Sequence, residues 1–258
     1  MWHKPTLSSI AGHDCLPCQP RRARRFSPVN RAVLCGVLGL LSFCASTSRA
    51  DASRSDPVPF RAGYHLNVAS WPDANVTHTL ARDEDGWRAT LHASIRIATG
   101  YEFSRFRLGD QNRIKPWQFY SRYRLFGFGD DYRLDAKAMM QLPDRESALF
   151  QWSRAAFRQH CRRPEAPCML DWLDHRGRPR HLQWHIIGDS TLPTPAGVLA
   201  TRHVEAWDPD KPTRQLHFYF SPHYPGLLVQ VEVFDRGTRT ARLQLMSLTV
   251  FPEPATVH

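Results

Sequence analysis

Hydrophobic and polar residues alternate along most of the chain after residue 60. Apolar side chains take every second position in segments 60–68 and 90–97, and again in 216–220, 229–233 and 241–245. Successive side chains of a strand point to opposite faces of a sheet, so this alternation predicts half-buried antiparallel strands. The last three segments are joined by the short, turn-rich stretches SPHYPG and DRGTR, which are typical of a meander.

One segment, PDRESALFQWSRAAFRQHC, departs from this pattern. Leu149, Trp152, Ala156 and Phe157 recur at helical spacing, and Asp144 stands where its carboxylate can accept hydrogen bonds from the first turn. The pattern predicts one main helix at about 145–160 between the two halves of the sheet.

These elements predict a mainly β fold with a curved antiparallel sheet of roughly nine to eleven strands. A sheet this wide, with one helix as cover, must curl to bury its apolar face. We therefore expect a barrel or half-barrel. The predicted organisation is a single β-rich domain at 59–250, a flexible linker at 51–58 and a C-terminal tail at 251–258.

The N-terminal 50 residues are predicted to be an N-terminal extension, residues 1–20, followed by a signal peptide with the three parts of a secretory signal. A positive region comes first, formed by Arg21, Arg22, Arg24, Arg25 and Arg31. The apolar run 32–45 that follows is shorter than the ~20 residues of a membrane-spanning helix. Small residues at Ser48 and Ala50 then predict cleavage after Ala50, which leaves no integral membrane span. The alternatives are an uncleaved N-terminal anchor and lipidation at Cys44.

The basic charge of the chain belongs largely to this N-terminal region. The net charge is +10 overall, but the part after residue 50 has 27 basic and 23 acidic residues, or +4. Those basic residues are scattered among acids instead of being gathered in runs. Nucleic-acid binding calls for a clustered basic face, so the charge pattern argues against a nucleic-acid partner.

Two cysteines remain after the predicted cleavage, Cys161 and Cys168 in CRRPEAPC. An even count, close spacing and an oxidising compartment favour one disulfide between them, which would pin a proline-containing loop at the end of the helix. Two free buried thiols are the alternative interpretation.

Four segments resemble, in their order and spacing, an exported bacterial family called domain of unknown function 3108. They are NRIKPWQFYSR at 112–122, PDRESALFQW at 143–152, TLPTPAGVLATRHVE at 191–205 and the long stretch 216–248. The resemblance covers about residues 60–250. It implies a periplasmic envelope protein with a lipocalin-like curled sheet, and it brings no catalytic residues with it.

The sequence contains no nucleophile elbow, zincin helix, phosphate loop or dinucleotide fingerprint, so we predict no cofactor and no catalytic residues. His175, His181 and His185 are the best histidine cluster, yet their spacing is typical of polar strand faces, and we predict no metal site. Glu102 with the pair 130–131 is a conceivable acid pair of a glycoside hydrolase.

Aromatic and arginine residues give the best indication of a ligand site. Alternation places Trp117, Phe119 and Tyr123 on one face of a strand, with Arg122 and Arg124 near its end. Alternating aromatics are usually core, but together with Phe218 they also suit a barrel mouth that receives an amphipathic anion. The hairpin FGFGDD at 126–131 would border that mouth.

The sequence therefore favours an exported, periplasmic envelope protein without enzymatic activity. It would bind or carry an apolar or amphipathic ligand, such as a lipid or a cell-wall fragment, or help to assemble the envelope. The alternative is an envelope hydrolase that acts on glycan or peptide.

Export makes a direct prediction about the mature N-terminus. Because the cleavage motif ends at Ala50, N-terminal sequencing of the mature protein should begin at Asp51. A lipidated start at Cys44, or a full-length species in the cytoplasm, would contradict it.

Overall fold

The computed structural model describes residues 57–109 and 113–251. The signal segment, its cleavage site at Ala50, most of the linker and most of the C-terminal tail lie outside the described residues, so these predictions stand as made.

Within the described residues the chain forms twelve strands and one helix. In chain order they are β1 (Phe60–Val68), β2 (Ala74–Asp83), β3 (Gly86–Ile95), β4 (Ala98–Leu108), β5 (Ile114–Leu125), β6 (Asp131–Asp135), α1 (Arg145–Arg158), β7 (Cys168–Leu173), β8 (Pro179–Thr194), β9 (Gly197–Trp207), β10 (Arg214–Phe220), β11 (Leu228–Asp235) and β12 (Thr238–Val250).

All twelve strands belong to one antiparallel sheet with the order β6-β5-β4-β3-β2-β1-β12-β11-β10-β9-β8-β7. The mainly β class and the single helix between two halves are confirmed. The strand number exceeds the expected nine to eleven. Strand β6, with the sequence DYRLD, is short and charged, so it carries little alternation.

The sheet is curled but not closed by hydrogen bonds, because β6 and β7 remain its two edges. Side chains bridge the gap between them: Phe119 of β5, Leu134 of β6 and Leu173 of β7 share one small apolar cluster. The backbone N–H of Leu173 also donates to the carbonyl of Pro143, just before α1. The result is a half-barrel, the second of the two expected forms.

Helix α1 lies on one face of the sheet, here named the concave face; the opposite face is the convex face. Trp152 of α1 is buried, and its ring lies 4.5 Å from that of Phe218 and 6.0 Å from that of Trp184. Phe150 meets Phe106 of β4 at 5.0 Å. Replacing a buried aromatic of this kind by Ala costs ~3–5 kcal/mol of folding stability. These helix–sheet contacts therefore make the concave face the main core.

The start of the helix follows the sequence prediction. The Asp144 carboxylate accepts the backbone N–H groups of Glu146 and Ser147 at 3.0 and 3.1 Å. The cap is also tied to the sheet, because the Ser104 hydroxyl of β4 donates to Asp144 at 2.7 Å. Asp144 is fully buried, so one carboxylate both starts the helix and docks it.

The predicted disulfide is present between Cys161 and Cys168, whose Cα atoms are 5.7 Å apart. It closes the connection from the end of α1 to the start of β7. The carbonyl of Cys161 also accepts the N–H of Ile186 at 2.6 Å, so the loop is held against β8.

Candidate functional site

The concave face holds a cavity of about 640 Å³ where β1, β3 and β5 end. Its wall is built from apolar residues of five strands and one loop: Leu66, Val68, Pro72, Ala74, Ala93, Ile95, Ala98 and Leu125. Gly100 and the ring of Tyr123 lie at its inner end, where a Cβ on Gly100 would meet the Tyr123 ring at 3.6 Å. The alternation that produces the strands thus also produces an apolar recess.

Apart from Ser94 and Thr99 on the strands of the wall, the polar groups of the lining gather on one side of the cavity. Tyr132 of β6 and the turn residues His175 and Arg176 face the apolar wall. The His175 ring contacts the rings of Tyr132 and Tyr123 edge-on, with centroids 4.7 and 5.4 Å apart. Burial, followed by the positive charge of nearby Arg145, lowers the pKa of His175, so the imidazole is neutral at pH 7.

A buried hydrogen-bond network lies directly behind Tyr123. Its centre is Glu102 of β4, which is 2% exposed and forms an ion pair with Arg145 of α1. The hydroxyls of Tyr123 and Ser121 both donate to Glu102, the latter at 2.7 Å. Arg145 also donates to the Tyr123 hydroxyl. Burial raises the pKa of Tyr123 to about 12, so the phenol remains a hydrogen-bond donor.

A second carboxyl group, Glu146, adjoins this network. Burial raises its pKa to about 8, and the negative charge of Glu102 adds to the effect. Glu102 has a guanidinium and two hydroxyls as partners, which suit a carboxylate. Glu146 therefore holds a proton at neutral pH, while Glu102 is the acid that is paired with Arg145.

The mouth of the cavity is bordered by the hairpin between β5 and β6. Phe126 and Gly127 both have positive φ, at 51° and 83°, and the backbones of Leu125 and Phe128 exchange two hydrogen bonds. This is the geometry of a two-residue type I′ turn. At Gly129 a Cβ would lie 1.9 Å from the carbonyl of Tyr123, so only glycine fits there.

The sequence-predicted ligand residues do not form one site. Tyr123 and Arg124 line the cavity. Both Arg124 and Arg122, however, form ion pairs with Asp131, and these hydrogen bonds hold the pKa of the Asp131 carboxyl well below its usual range. Both guanidinium groups are therefore engaged by one carboxylate, which offsets one of their two positive charges. Phe218 packs against Trp152 in the core.

Trp117 and Phe119 lie on different faces, which corrects the prediction of a shared one. Arg105 of β4 pairs with Gln118 and Phe106 pairs with Pro116, so Trp117 is the extra residue of a β-bulge. The guanidinium of Arg105 covers the Trp117 ring at 5.2 Å on the convex face. The fully buried ring of Phe119 belongs to the cluster that bridges the sheet edges.

The convex face of the same strands has a second, more polar hollow of about 1030 Å³. Trp117, Phe119 and Arg122 border it, together with Phe103 and Tyr120. Guanidinium groups already cover both of the last two rings, at 4.5 Å for Phe103 and 5.5 Å for Tyr120. The aromatic faces here are occupied by the protein's own cations.

The conceivable acid pair of a hydrolase is divided between the two faces. Glu102 pairs with Ser121 on the concave side, whereas Asp131 pairs with Arg122 on the convex side. Asp130 lines the cavity and accepts a hydrogen bond from Tyr132 at 3.1 Å. No two of these three acids face each other across a cleft.

The three histidines of the sequence cluster also separate. His175 lies at the cavity, and His185 is buried 3.8 Å from Glu205. His181 lies near Asp208 and Asp210, with one ligand atom from each of the three within 4.8 Å of the others. His181 and Asp210 are exposed, and groups like this are common on protein surfaces.

Sequence reasoning missed Arg145, Glu146 and Arg176. The signal for the network was present in β4, where Glu102 and Ser104 occupy inward positions between Gly100 and Phe106. A carboxylate in a register of buried positions requires a cationic or hydrogen-bonding partner. The alternation of β4 could therefore have predicted a partner for Glu102, although not its identity.

No helix among the described residues has the length and apolar character needed to cross a membrane. No family model matches the chain, so membership of domain of unknown function 3108 is not confirmed. No curated protein matches it either.

Several solved structures are similar to the chain at low identity. A candidate lipoprotein from Parabacteroides distasonis has a TM-score of 0.33 and 12% identity, covering 77% of this chain and 100% of that one. MucB in complex with MucA(peri) has a TM-score of 0.37 and 13% identity, covering 80% of this chain and 54% of that one. A candidate exported protein with YmcC-like fold from Bacteroides fragilis has a TM-score of 0.30 and 10% identity, covering 74% and 95%. At such scores no function passes from these proteins to this chain.

The raised pKa of Glu146 predicts a pH-dependent stability. A carboxyl whose pKa is raised by folding stabilises the fold fully below its ordinary value of 4.5, and that contribution is lost as pH rises through about 8. Glu146→Gln should remove this loss and raise the free energy of unfolding at alkaline pH by roughly 1–4 kcal/mol. Urea denaturation across this pH range measures it.

The matched control is Glu165→Gln, at an exposed position, which should leave the pH profile unchanged. If Glu146→Gln loses stability with rising pH as the wild type does, Glu146 is not the proton-holding acid.

Proposed function

We propose that the protein is exported to the bacterial envelope and binds an apolar or amphipathic ligand there, as a non-enzymatic carrier. The observation that carries this proposal is the cavity of about 640 Å³, with an apolar wall and polar groups on one side. Its volume lies within the roughly 300–1,000 Å³ of small-molecule sites.

The distribution of polar groups fits a ligand with two unlike ends. An apolar body would contact the wall formed by β1 to β4, where Leu66, Ala93 and Ile95 offer carbon atoms. A polar head would lie on the opposite side, near Tyr132, His175 and Arg176. A lipid, or a cell-wall fragment attached to a lipid, has this chemistry.

The sequence suggested Arg122 and Arg124 as partners of an anionic head group, but Arg176 is better placed to bind it. Those two share the carboxylate of Asp131. Arg176 is exposed at the cavity, stacks on Tyr132 at 5.6 Å and makes no ion pair with any described carboxylate. An anionic head group would therefore find its charge partner at Arg176.

The network behind Tyr123 supports this role by keeping the inner end of the cavity in place. Arg145 and Glu102 both bond the Tyr123 hydroxyl, so the ring cannot swing into the recess without breaking two hydrogen bonds of this network. A preformed recess binds its ligand at a lower cost in conformational entropy.

The hydrolase alternative gains no specific observation among the described residues, because Glu102 is enclosed in the network with Arg145, and Asp131 lies on the opposite face of the sheet from Glu102. Membership of the exported family domain of unknown function 3108 remains part of the proposal. It rests on the order of the four segments described above and agrees with an envelope location.

Filling the cavity tests the proposal. Gly100→Phe should place a ring beside Tyr123 without backbone strain, because the Cβ meets only ordinary contacts. We expect at least a tenfold loss of affinity for a fluorescent fatty acid, measured by titration, with little change in melting temperature.

Gly188→Phe is the matched control, since Gly188 lies in β8 outside the cavity lining and a Cβ there meets nothing within 4 Å. Equal binding by wild type and Gly100→Phe, or no binding of any amphipathic probe by the wild type, would refute the carrier function.

The head-group assignment has its own test. Arg176→Gln should weaken binding of a fatty acid about fivefold to thirtyfold, because a charge-assisted hydrogen bond contributes about 1–2 kcal/mol more than a neutral one. Binding of the corresponding fatty alcohol should hardly change. Calorimetric titration with both ligands measures the difference.

Arg178→Gln is the control in the same turn, because Arg178 is already paired with Asp174 at 2.8 Å. If Arg176→Gln weakens both ligands equally, or neither, Arg176 is not the partner of the head group.

A further inference from the structure

Large apolar side chains are exposed around the mouth of the cavity. Trp71 is 58% exposed, Leu125 46%, Phe126 67% and Phe128 82%. We call these four residues the apolar rim. Trp71, Leu125 and Phe128 also line the cavity, so the rim is continuous with its apolar wall. Single exposed apolar residues are ordinary, but a group of them at one place marks an interaction surface.

The backbone holds the rim outward. Phe126 has a positive φ, which a bulky residue rarely adopts, and its N–H donates to the carbonyl of Ile97 in the neighbouring turn at 2.8 Å. This bond ties the β5–β6 hairpin to the β3–β4 turn. A strained backbone that keeps an aromatic ring in solvent is expected where that ring has a partner.

Two exposed arginines without a described carboxylate partner lie beside the rim. Arg96 of the β3–β4 turn and Arg176 are exposed, and neither forms an ion pair with a described carboxylate. The nearby acids have partners of another kind: Asp73 accepts from the Asn67 amide and lies 3.1 Å from His65, and Asp130 accepts from the Tyr132 hydroxyl. Apolar side chains flanked by unpaired cations complement a surface with an apolar interior and anionic head groups.

We propose that the apolar rim docks on an anionic lipid bilayer, so that the cavity opens onto the membrane surface. Trp side chains prefer the boundary between head groups and acyl chains, and Phe and Leu side chains insert into the apolar layer next to it. Arginines beside them gain from anionic lipids. The docked geometry gives a lipid-like ligand a path between bilayer and cavity that avoids water.

The rim is less suited to a peptide strand. The Leu125 and Phe128 backbones pair with each other, and that of Phe126 pairs with Ile97, so the tip of the hairpin offers no free ladder edge. If a second copy of the chain docked on the rim through its own rim, its cations would lie against Arg96 and Arg176, and like charges would repel. Both of these partners are outcomes that the experiment distinguishes.

The experiment is co-sedimentation of the mature protein, which lacks the apolar segment 32–45, with vesicles. One set contains phosphatidylglycerol with phosphatidylethanolamine and the other only phosphatidylcholine. Wild type should bind the anionic vesicles and bind the neutral ones more weakly. Phe126→Ser should reduce binding to anionic vesicles at least fivefold. Val198→Ser, at an exposed apolar position (72%) at the start of β9, should not.

Phe126 does not line the cavity, so Phe126→Ser should leave uptake of a soluble fluorescent fatty acid unchanged. Gly100→Phe should do the reverse, blocking uptake while vesicle binding persists. Failure of docking and failure of the carrier function are thereby separated.

Three results would overturn the proposal. They are a wild type that binds neither kind of vesicle, a Phe126→Ser variant that binds as well as the wild type, and concentration-dependent self-association that Phe126→Ser abolishes. The last would make the rim an interface between copies.

Discussion

The ion pair between Arg145 and Glu102 fixes the start of the helix against the sheet, and the cavity depends on it. Glu102 is 2% exposed, so removing its partner would leave a charge in the protein interior. Burying such an ion pair seldom adds net stability, but only a few arrangements of the surrounding groups can satisfy both charges. Here the accepted arrangement orients Tyr123 as well, through hydrogen bonds from Arg145 and to Glu102.

The open sheet explains why there is room for a cavity at this position. Trp152 and Phe150 fill the concave face in the middle of the half-barrel, through contacts with Phe106, Trp184 and Phe218. Within residues 57–109 and 113–251, no element beyond the first turn of the helix covers the part of β1 to β5 that borders the cavity. Small side chains line that region, among them Ala93, Ala98 and Gly100. A larger residue at any of them would fill the space, so the recess comes from both topology and sequence.

The fold was largely predictable because its determinants are local. Alternation identifies strands such as β1, helical spacing identifies α1, and Asp144 caps the helix as its position indicates. The ligand site was less predictable from the sequence. The bulge at Trp117 adds one residue that shifts its side chain to the other face, and nothing in the alternation reveals it. Arg176 comes close to Tyr132 only when the two edges of the sheet approach each other.

The two faces of β4 and β5 show why arginine and aromatic content alone does not locate a site. On the convex face guanidinium groups cover Phe103 and Tyr120, so cations and rings satisfy one another. At the cavity mouth the opposite holds: Phe126 and Phe128 remain in solvent, and Gly129 occupies a position that no other residue can take. Phe in the left-handed region costs about 1–2 kcal/mol. Features that lower stability without adding contacts accumulate at functional surfaces, and in the described structure they meet at the open end of the half-barrel.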